Sequence, residues 1–387
     1  MRQWGWLALG ALGAVVFAGV AARAEDVVHV GVSVALTGPA AILGQGARNA
    51  ASLMPDHVGD TRVEFTVLDD GSDTTASVVN AKRLIGEGVD VIIGASTTPQ
   101  SLAMLDTVAA GKVPTITMAS SRLIVEPMDD KRRWVFKTNP NDNILGDADA
   151  AAMARLGAKT AAILAQDDSF GTSYSSAFGA GAEKAGVRIT GTEKFQPRDT
   201  SVTPQVLKVM AAKPDAVLIV GTGLAAALPA ATLRERGYGG RIFLTAASVS
   251  AEFLRMGGKP VEGAYVDVGP CLVYEQLPAD NPVRPACADF VPRYEAKFGP
   301  NSRSLFVTQG YDFWHLLEVA IPLAVKTGAK PGTPEFRAAL RDALENGIKN
   351  HPGNTGIYTM TPTDHTGLDM RSVVLAQIKD GTWAYVP

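Results

Sequence analysis

Two hydroxyl-rich stretches offer the most coherent chemistry in this 387-residue chain. Ser96-Thr97-Thr98 follows a short apolar run and precedes Pro99, and Ala119-Ser120-Ser121 follows the next such run. Each would set backbone N–H groups and hydroxyls at the carboxyl end of a strand. Open α/β sheets bind ligands there, and helix amino ends favour anions. Ser and Thr are ordinary helix caps, so one such turn alone carries little. Two in adjacent units point to a small carboxylate ligand.

Other constellations fail on their own requirements. Gly221-Thr222-Gly223-Leu224-Ala225-Ala226 matches the G-x-G-x-x-A dinucleotide pattern. That fingerprint needs an acid about 20 residues on, where Leu244-Thr245-Ala246-Ala247 offers none. The turn reads instead as a tight strand-to-helix connection, and no cofactor is expected. Asp69, Asp70 and Asp73 lack the further oxygens of a calcium loop and read as a strand end and a helix cap. His29, His57, His315, His351 and His365 include no pair at i, i+4, so no metal site is expected. His315, beside Trp314 in an apolar helix, reads as a packed or rim residue. No G-x-S-x-G elbow is present and nothing marks a nucleophile, so an enzyme is disfavoured.

The elements that would position the two turns follow one repeated alternation. Strands are expected at Val27–Leu36, Val63–Leu68, Asp90–Ile93 and Val113–Met118, with helices at Gly44–Met54, Thr74–Gly86 (capped by Asp73) and Pro99–Ala110. The pattern pauses at Trp134–Asn143. It resumes with strands at Thr160–Ala165, Val187–Phe195, Ala216–Val220 and Arg241–Thr245, and helices at Asp147–Leu156, Gly171–Ala185, Ser201–Ala212 (Thr203 as cap) and Leu224–Arg236. Helices at Asp289–Phe298, Thr308–Lys326 and Pro334–Asn346 come next. Strands at Ser372–Lys379 and Thr382–Val386 close the chain across Asp380-Gly381. Strands alternating with helices through short polar turns give an α/β protein with parallel sheets, here in two lobes.

Composition and the amino terminus bound the setting. Lys and Arg number 36 against 39 Asp and Glu, a net charge of −3 with no basic stripe, which argues against nucleic-acid binding. Met1 to Ala24 reads as an export signal: Arg2, an apolar small-residue run, then Ala22-Arg23-Ala24 as the cleavage pattern, leaving Glu25 as the first mature residue. A retained anchor is the alternative reading. No later run is long enough to span a bilayer. Export makes Cys271 and Cys287 a disulfide candidate across a proline-rich segment, against two buried free thiols.

The ordered segments VGVSVALTGPAAILGQGARNAA, VLDDGSDTTASVVNAKRLI, DVIIGASTTPQS, VPTITMASS, WVFKTNPND, DDSFGTSYSSAF, PDAVLIVGTG and GYDFWHLLEVAI resemble the solute-binding proteins of ABC importers of the leucine/isoleucine/valine-binding type. The resemblance runs from about Val28 to the C-terminus. It implies the type 1 periplasmic-binding fold, two Rossmann-like lobes joined by three crossovers and closing on ligand. The first lobe would take 25–141 and about 270–355, and the second 142–269 and about 356–387. It implies a periplasmic monomer that delivers its ligand to an inner-membrane permease. It also places the ligand carboxylate on Ser96 and Thr97, with Ala119, Ser120 and Ser121 as the partner turn, Phe170 as a lid and Thr222 lining the cleft.

Two departures bear on the ligand. Amino-acid binders of this family hold the ammonium with an acid where this chain has Ala246-Ala247-Ser248, and many place a Tyr where this chain has Leu43. A buried ammonium without a carboxylate is costly. The resemblance therefore points to an acid without an amino group, as in members that bind aromatic carboxylates and 2-oxo acids, with aliphatic amino acids or amides as the alternative. A ligand sensor of the same fold, signalling to a receptor, stays open beside the importer.

Overall fold

Long β-branched runs such as Val27–Val34 are buried along most of their length, as strands covered on both faces by helices must be. The computed structural model describes Met1 and residues 26–387. The expected export signal and its cut after Ala24 lie outside the described residues. The first stretch runs β1 (Val27–Val34), α1 (Ala41–Ala51), β2 (His57–Val58), β3 (Thr61–Asp69), α2 (Thr74–Gly86), β4 (Val91–Ile93), α3 (Thr98–Gly111), β5 (Thr115–Thr117) and β6 (Val135–Lys137). These strands form one sheet in the order β2-β3-β1-β4-β5-β6, parallel except for the β2 edge.

The second stretch runs α4 (Asp142–Arg155), β7 (Thr160–Gln166), α5 (Ser169–Ala185), β8 (Arg188–Phe195), α6 (Thr203–Ala211), β9 (Ala216–Val220), α7 (Ala227–Glu235), β10 (Arg241–Leu244), α8 (Ala251–Gly257) and β11 (Tyr265–Val268). The chain then makes α9 (Arg284–Phe298), α10 (Leu305–Lys326), α11 (Pro334–Gly347) and a hairpin of β12 (His351–Pro352) and β13 (Ile357–Tyr358). It ends with β14 (Val374–Lys379) and β15 (Thr382–Val386), which join the second sheet in the order β15-β14-β11-β10-β9-β7-β8. β14 and β15 pair antiparallel; the other five strands are parallel.

Each sheet is the middle of three layers. Val30, Val32 and Phe136 of the first sheet share a core with Phe290, Trp314, Leu317 and Leu344 of α9 to α11. Leu84, Met104 and Val108 of α2 and α3 pack on its other face with Ile92. The two faces of the second sheet have their own cores, one around Val217, Ile219 and Phe253, the other around Leu218, Phe178 and Met153. The chain passes between the sheets three times: after β6, after β11 and after β13. The crossings are tied together, since Tyr358 Oη donates to the Thr138 carbonyl (3.0 Å) and the Lys137 amide to that of His365 (3.0 Å).

Several local expectations meet their physical cause. Asp73 caps α2, its carboxylate accepting from the Ala76 amide at 2.8 Å. Asp69 ties the β3 turn to the end of β1 by accepting from the Leu36, Thr37 and Gly71 amides. Cys271 and Cys287 form a disulfide with Cα atoms 5.0 Å apart, joining the second crossing to α9. Among the described residues no helix is long and apolar enough to cross a membrane.

Others are corrected. The pause at Trp134–Asn143 contains β6, a strand too short to show a period. Val202, not Thr203, occupies the cap of α6. Leu224–Arg236 begins with a tight 3-10 turn over Gly223–Ala226 before α7. α8 and β11 were not expected at all; β11 carries the buried Asp267 in its middle, which breaks its apolar run.

Candidate functional site

The carboxyl ends of both sheets face one cleft. The first-lobe wall comes from α1, the β4–α3 turn, the turn after β5 and the start of α10: Leu43, Ser96–Thr98, Met118–Ser120, Asn139, Leu305 and Phe306. The second-lobe wall comes from α4, α5, the turn after β9 and the turn after β10: Leu145, Phe170, Tyr174, Thr222 and Thr245–Ala247. About 430 Å³ of space, part of it open to solvent, lies between the walls.

Backbone geometry makes the cleft narrow. A Cβ on Gly44 would lie 2.1 Å from the Ala35 carbonyl, so only glycine lets α1 sit so close to the end of β1 and bring Leu43 to the cavity. Gly223 has φ +55 and lies near Ile42 of the opposite lobe, where a Cβ would come within 3.2 Å of its methyl group. The G-x-G turn is thus a place where the lobes meet closely. A second meeting point is Ser121, whose hydroxyl bonds that of Ser173 on α5 at 2.7 Å, with Ser173 also donating to Asp142.

The first-lobe wall is held rigid from behind. Ser96 Oγ accepts from the Ala35 amide at 3.1 Å. Thr97 Oγ1 bonds the Gln100 amide oxygen, and Gln100 Nε2 donates to Asp70 at 2.9 Å. Burial pushes the Asp70 carboxyl up to about 6. Thr98 Oγ1 is buried with no partner among the described residues. Behind the second turn, the fully buried Lys137 ammonium donates to the Ser120 carbonyl and to Asn141 Oδ1, both at 2.6 Å. Burial lowers its pKa to about 7, against the pull of Asp142, Glu126 and Asp364. Asn139 Nδ2 holds the Met118 carbonyl at 2.8 Å.

The second-lobe wall carries its charge out of sight. Tyr174 Oη donates to Asp149 at 2.8 Å and lies 3.3 Å from Asp267, whose other oxygen accepts from the Ala246 amide at 3.2 Å. Both carboxyls are fully buried. Burial raises both, Asp267 to about 7, and the neighbouring Asp267 raises Asp149 further. Two carboxylates so placed cannot both ionise cheaply, so the pair titrates as a unit. Neither reaches the cavity surface; Tyr174 and Ala246 stand between. Phe170 packs edge-on against Tyr174, ring centres 5.7 Å apart.

Of the residues singled out in the sequence, Leu43, Ser96, Thr97, Ala119, Ser120, Phe170, Thr222 and Ala247 line the cavity. Ser121 and Ser248 do not. Ser121 is turned towards Ser173 and accepts from the Leu123 amide. Ser248 is fully buried and donates to the Thr245 carbonyl. Tyr174, Asn139, Leu145, Leu305 and Phe306 also line the cavity and were missed. Tyr174 was the accessible one, four residues after Phe170 on the same helix face. Among the described residues, no side chain lining the cavity is acidic or basic.

Known proteins resemble this chain along most of its length. The profile of a family described as periplasmic binding protein matches residues 27–382. A Brucella melitensis protein named Leu/Ile/Val-binding protein homolog 3 is 22% identical over 372 residues, covering 94% of each chain. Among solved structures, an extracellular ligand-binding receptor from Rhodopseudomonas palustris HaA2 is 41% identical with a TM-score of 0.88, over 94% of this chain and 100% of that one. Another receptor from the same strain is 38% identical with a TM-score of 0.89 at the same coverage.

Proposed function

The chain belongs to the periplasmic binding protein family, and we propose that its cleft captures a small carboxylic acid that lacks an amino group, an aryl or 2-oxo acid such as benzoylformate or phenylpyruvate. Its relatives are ligand-binding receptors, and this chain is one too, not an enzyme. The observation that carries the ligand class is the uncharged cavity wall. An ammonium would meet no carboxylate on it, whereas a carboxylate would meet Ser96, Thr97, Thr98 and Ser120 beside the amino end of the 14-residue α3. Lys137 lies behind Ser120 on that side, donating to its carbonyl at 2.6 Å. Phe170 and Phe306 supply ring surface for an aryl group.

In this reading the lobes comprise 25–141 with about 270–355, and 142–269 with about 356–387. The exported monomer works in the periplasm and hands its ligand, unchanged, to an inner-membrane ABC permease. A second reading, an aliphatic amino acid or amide as ligand, has support in the Brucella relative's name and in Asp267, which lies directly behind the Ala246 amide.

A thermal-shift panel of aromatic acids, 2-oxo acids and amino acids, followed by calorimetry, separates the two, because a ligand that binds only the folded state raises the melting temperature. The oxo or aryl acids should bind at least about tenfold tighter than phenylalanine or leucine, a gap of about 1.4 kcal/mol. They should also be recovered intact after incubation. Equal or tighter binding of leucine would put the second reading in its place.

A further inference from the structure

Outside the cleft, an imidazole and a carboxylate one turn apart on a helix meet a second imidazole from a separate element. His315 and Glu318 lie one turn apart on α10, on one face of the helix. His351 enters from β12. His315 Nδ1 is 3.0 Å from Glu318 Oε1, and His351 Nε2 is 3.7 Å from the same oxygen. One ligand atom from each residue lies within 4.8 Å of the others. His351 Nε2 is shielded from solvent yet has no hydrogen-bond partner among the described residues, and 3.7 Å is too long for one. A buried ring nitrogen left unpaired in a native fold calls for an explanation.

We propose that His315, Glu318 and His351 form a zinc-binding site with a fourth position left to water. Zinc takes imidazole nitrogen and carboxylate oxygen at about 2.0–2.2 Å in a tetrahedron, whose ligand-to-ligand edges are then about 3.4 Å. The observed 3.0 and 3.7 Å bracket that edge. Two nitrogens in the set disfavour calcium and magnesium, which take oxygen ligands.

The surroundings suit a cation. Asp312 lies one turn before His315 on α10 and Asp289 faces it from α9. The nearby Arg293 is already neutralised by Asp289 at 2.7 Å. Asp312 also accepts from the Asn354 and Thr355 amides and from Tyr358 Oη. A metal here would pin the β12–β13 hairpin to α10 beside the third crossing between lobes.

The test is calorimetric titration of the untagged, EDTA-stripped protein with ZnCl2, with Co2+ as an optical probe of tetrahedral geometry. One equivalent of Zn2+ should bind and raise the melting temperature, while Mg2+ and Ca2+ do neither. H351Q and E318Q should each weaken Zn2+ binding by at least about tenfold, with unchanged near-ultraviolet circular dichroism; if one fails to fold, the other decides. No binding by the wild-type protein overturns the proposal. So does binding that survives both substitutions, which would place the ion elsewhere, as at the exposed His57–Asp56 pair.

Discussion

Ala247→Asp tests the proposed ligand class at its weakest point. Ala247 lines the second-lobe wall and is half-buried, and among the described residues no carboxylate reaches the cavity surface around it. The nearest acids, Asp149 and Asp267, are screened by Tyr174 and Ala246, and burial raises both. A zwitterionic amino acid bound to the wild-type protein would leave its ammonium without a full partner. A new carboxylate about 4 Å away is worth about 4 kcal/mol at the effective dielectric of such sites. Desolvating that carboxylate takes part of this back. The net change in preference should be about 1.4 to 3 kcal/mol, or roughly ten- to a hundredfold. The quantity to follow is the ratio of phenylpyruvate to phenylalanine dissociation constants, measured by calorimetry in both proteins. A general loss of fit cancels in that ratio. If the ratio does not move, the wall at residues 246–248 does not face the ligand's α-substituent, and the reasoning from its missing acid fails.

Two further outcomes concern stability. Replacing both Cys271 and Cys287 by Ser should cost about 3 kcal/mol of unfolding free energy for a loop of this size. Urea denaturation showing a cost near zero would mean that the 5.0 Å approach of the two Cα atoms is enforced by packing alone. Asp149 and Asp267 bind more protons folded than unfolded, because both are raised, Asp267 to about 7. Their contribution is therefore lost as pH rises from about 4 through about 7. Asp149→Asn should flatten that decline relative to wild type when unfolding is compared at about pH 5 and about pH 8; an unaltered decline would exclude the pair as its source.

How much was legible depended on whether the signal was local. α2 was readable to the residue because Asp73 caps it and an apolar stripe runs its length. β15 was readable because Asp380-Gly381 fixes the hairpin. β6 and β11 were not, being three and four residues long, with Asp267 buried inside β11 for the sake of Tyr174 and Ala246. In the cleft, the turns at Ser96 and Ala119 follow from strand ends and were visible. Leu305 and Phe306 reach the cavity only because α10 begins there in space, after the chain has crossed back from the second sheet. The convergence of His315, Glu318 and His351 had no local signature, since β12 is placed by the Asp312 contacts to residues 354, 355 and 358.

The closing strands β14 and β15 have a consequence for how the molecule is made. β14 pairs with β11 across roughly a hundred intervening residues, which belong to the other sheet's core. Contacts of such sequence separation form late, because loop closure must be met before pairing returns anything. The second lobe thus cannot be completed until β14 and β15 have left the ribosome, and until then β11 presents an unpaired edge. A chain truncated before Val374 stays unfinished for good, with an open edge for a second copy to pair with.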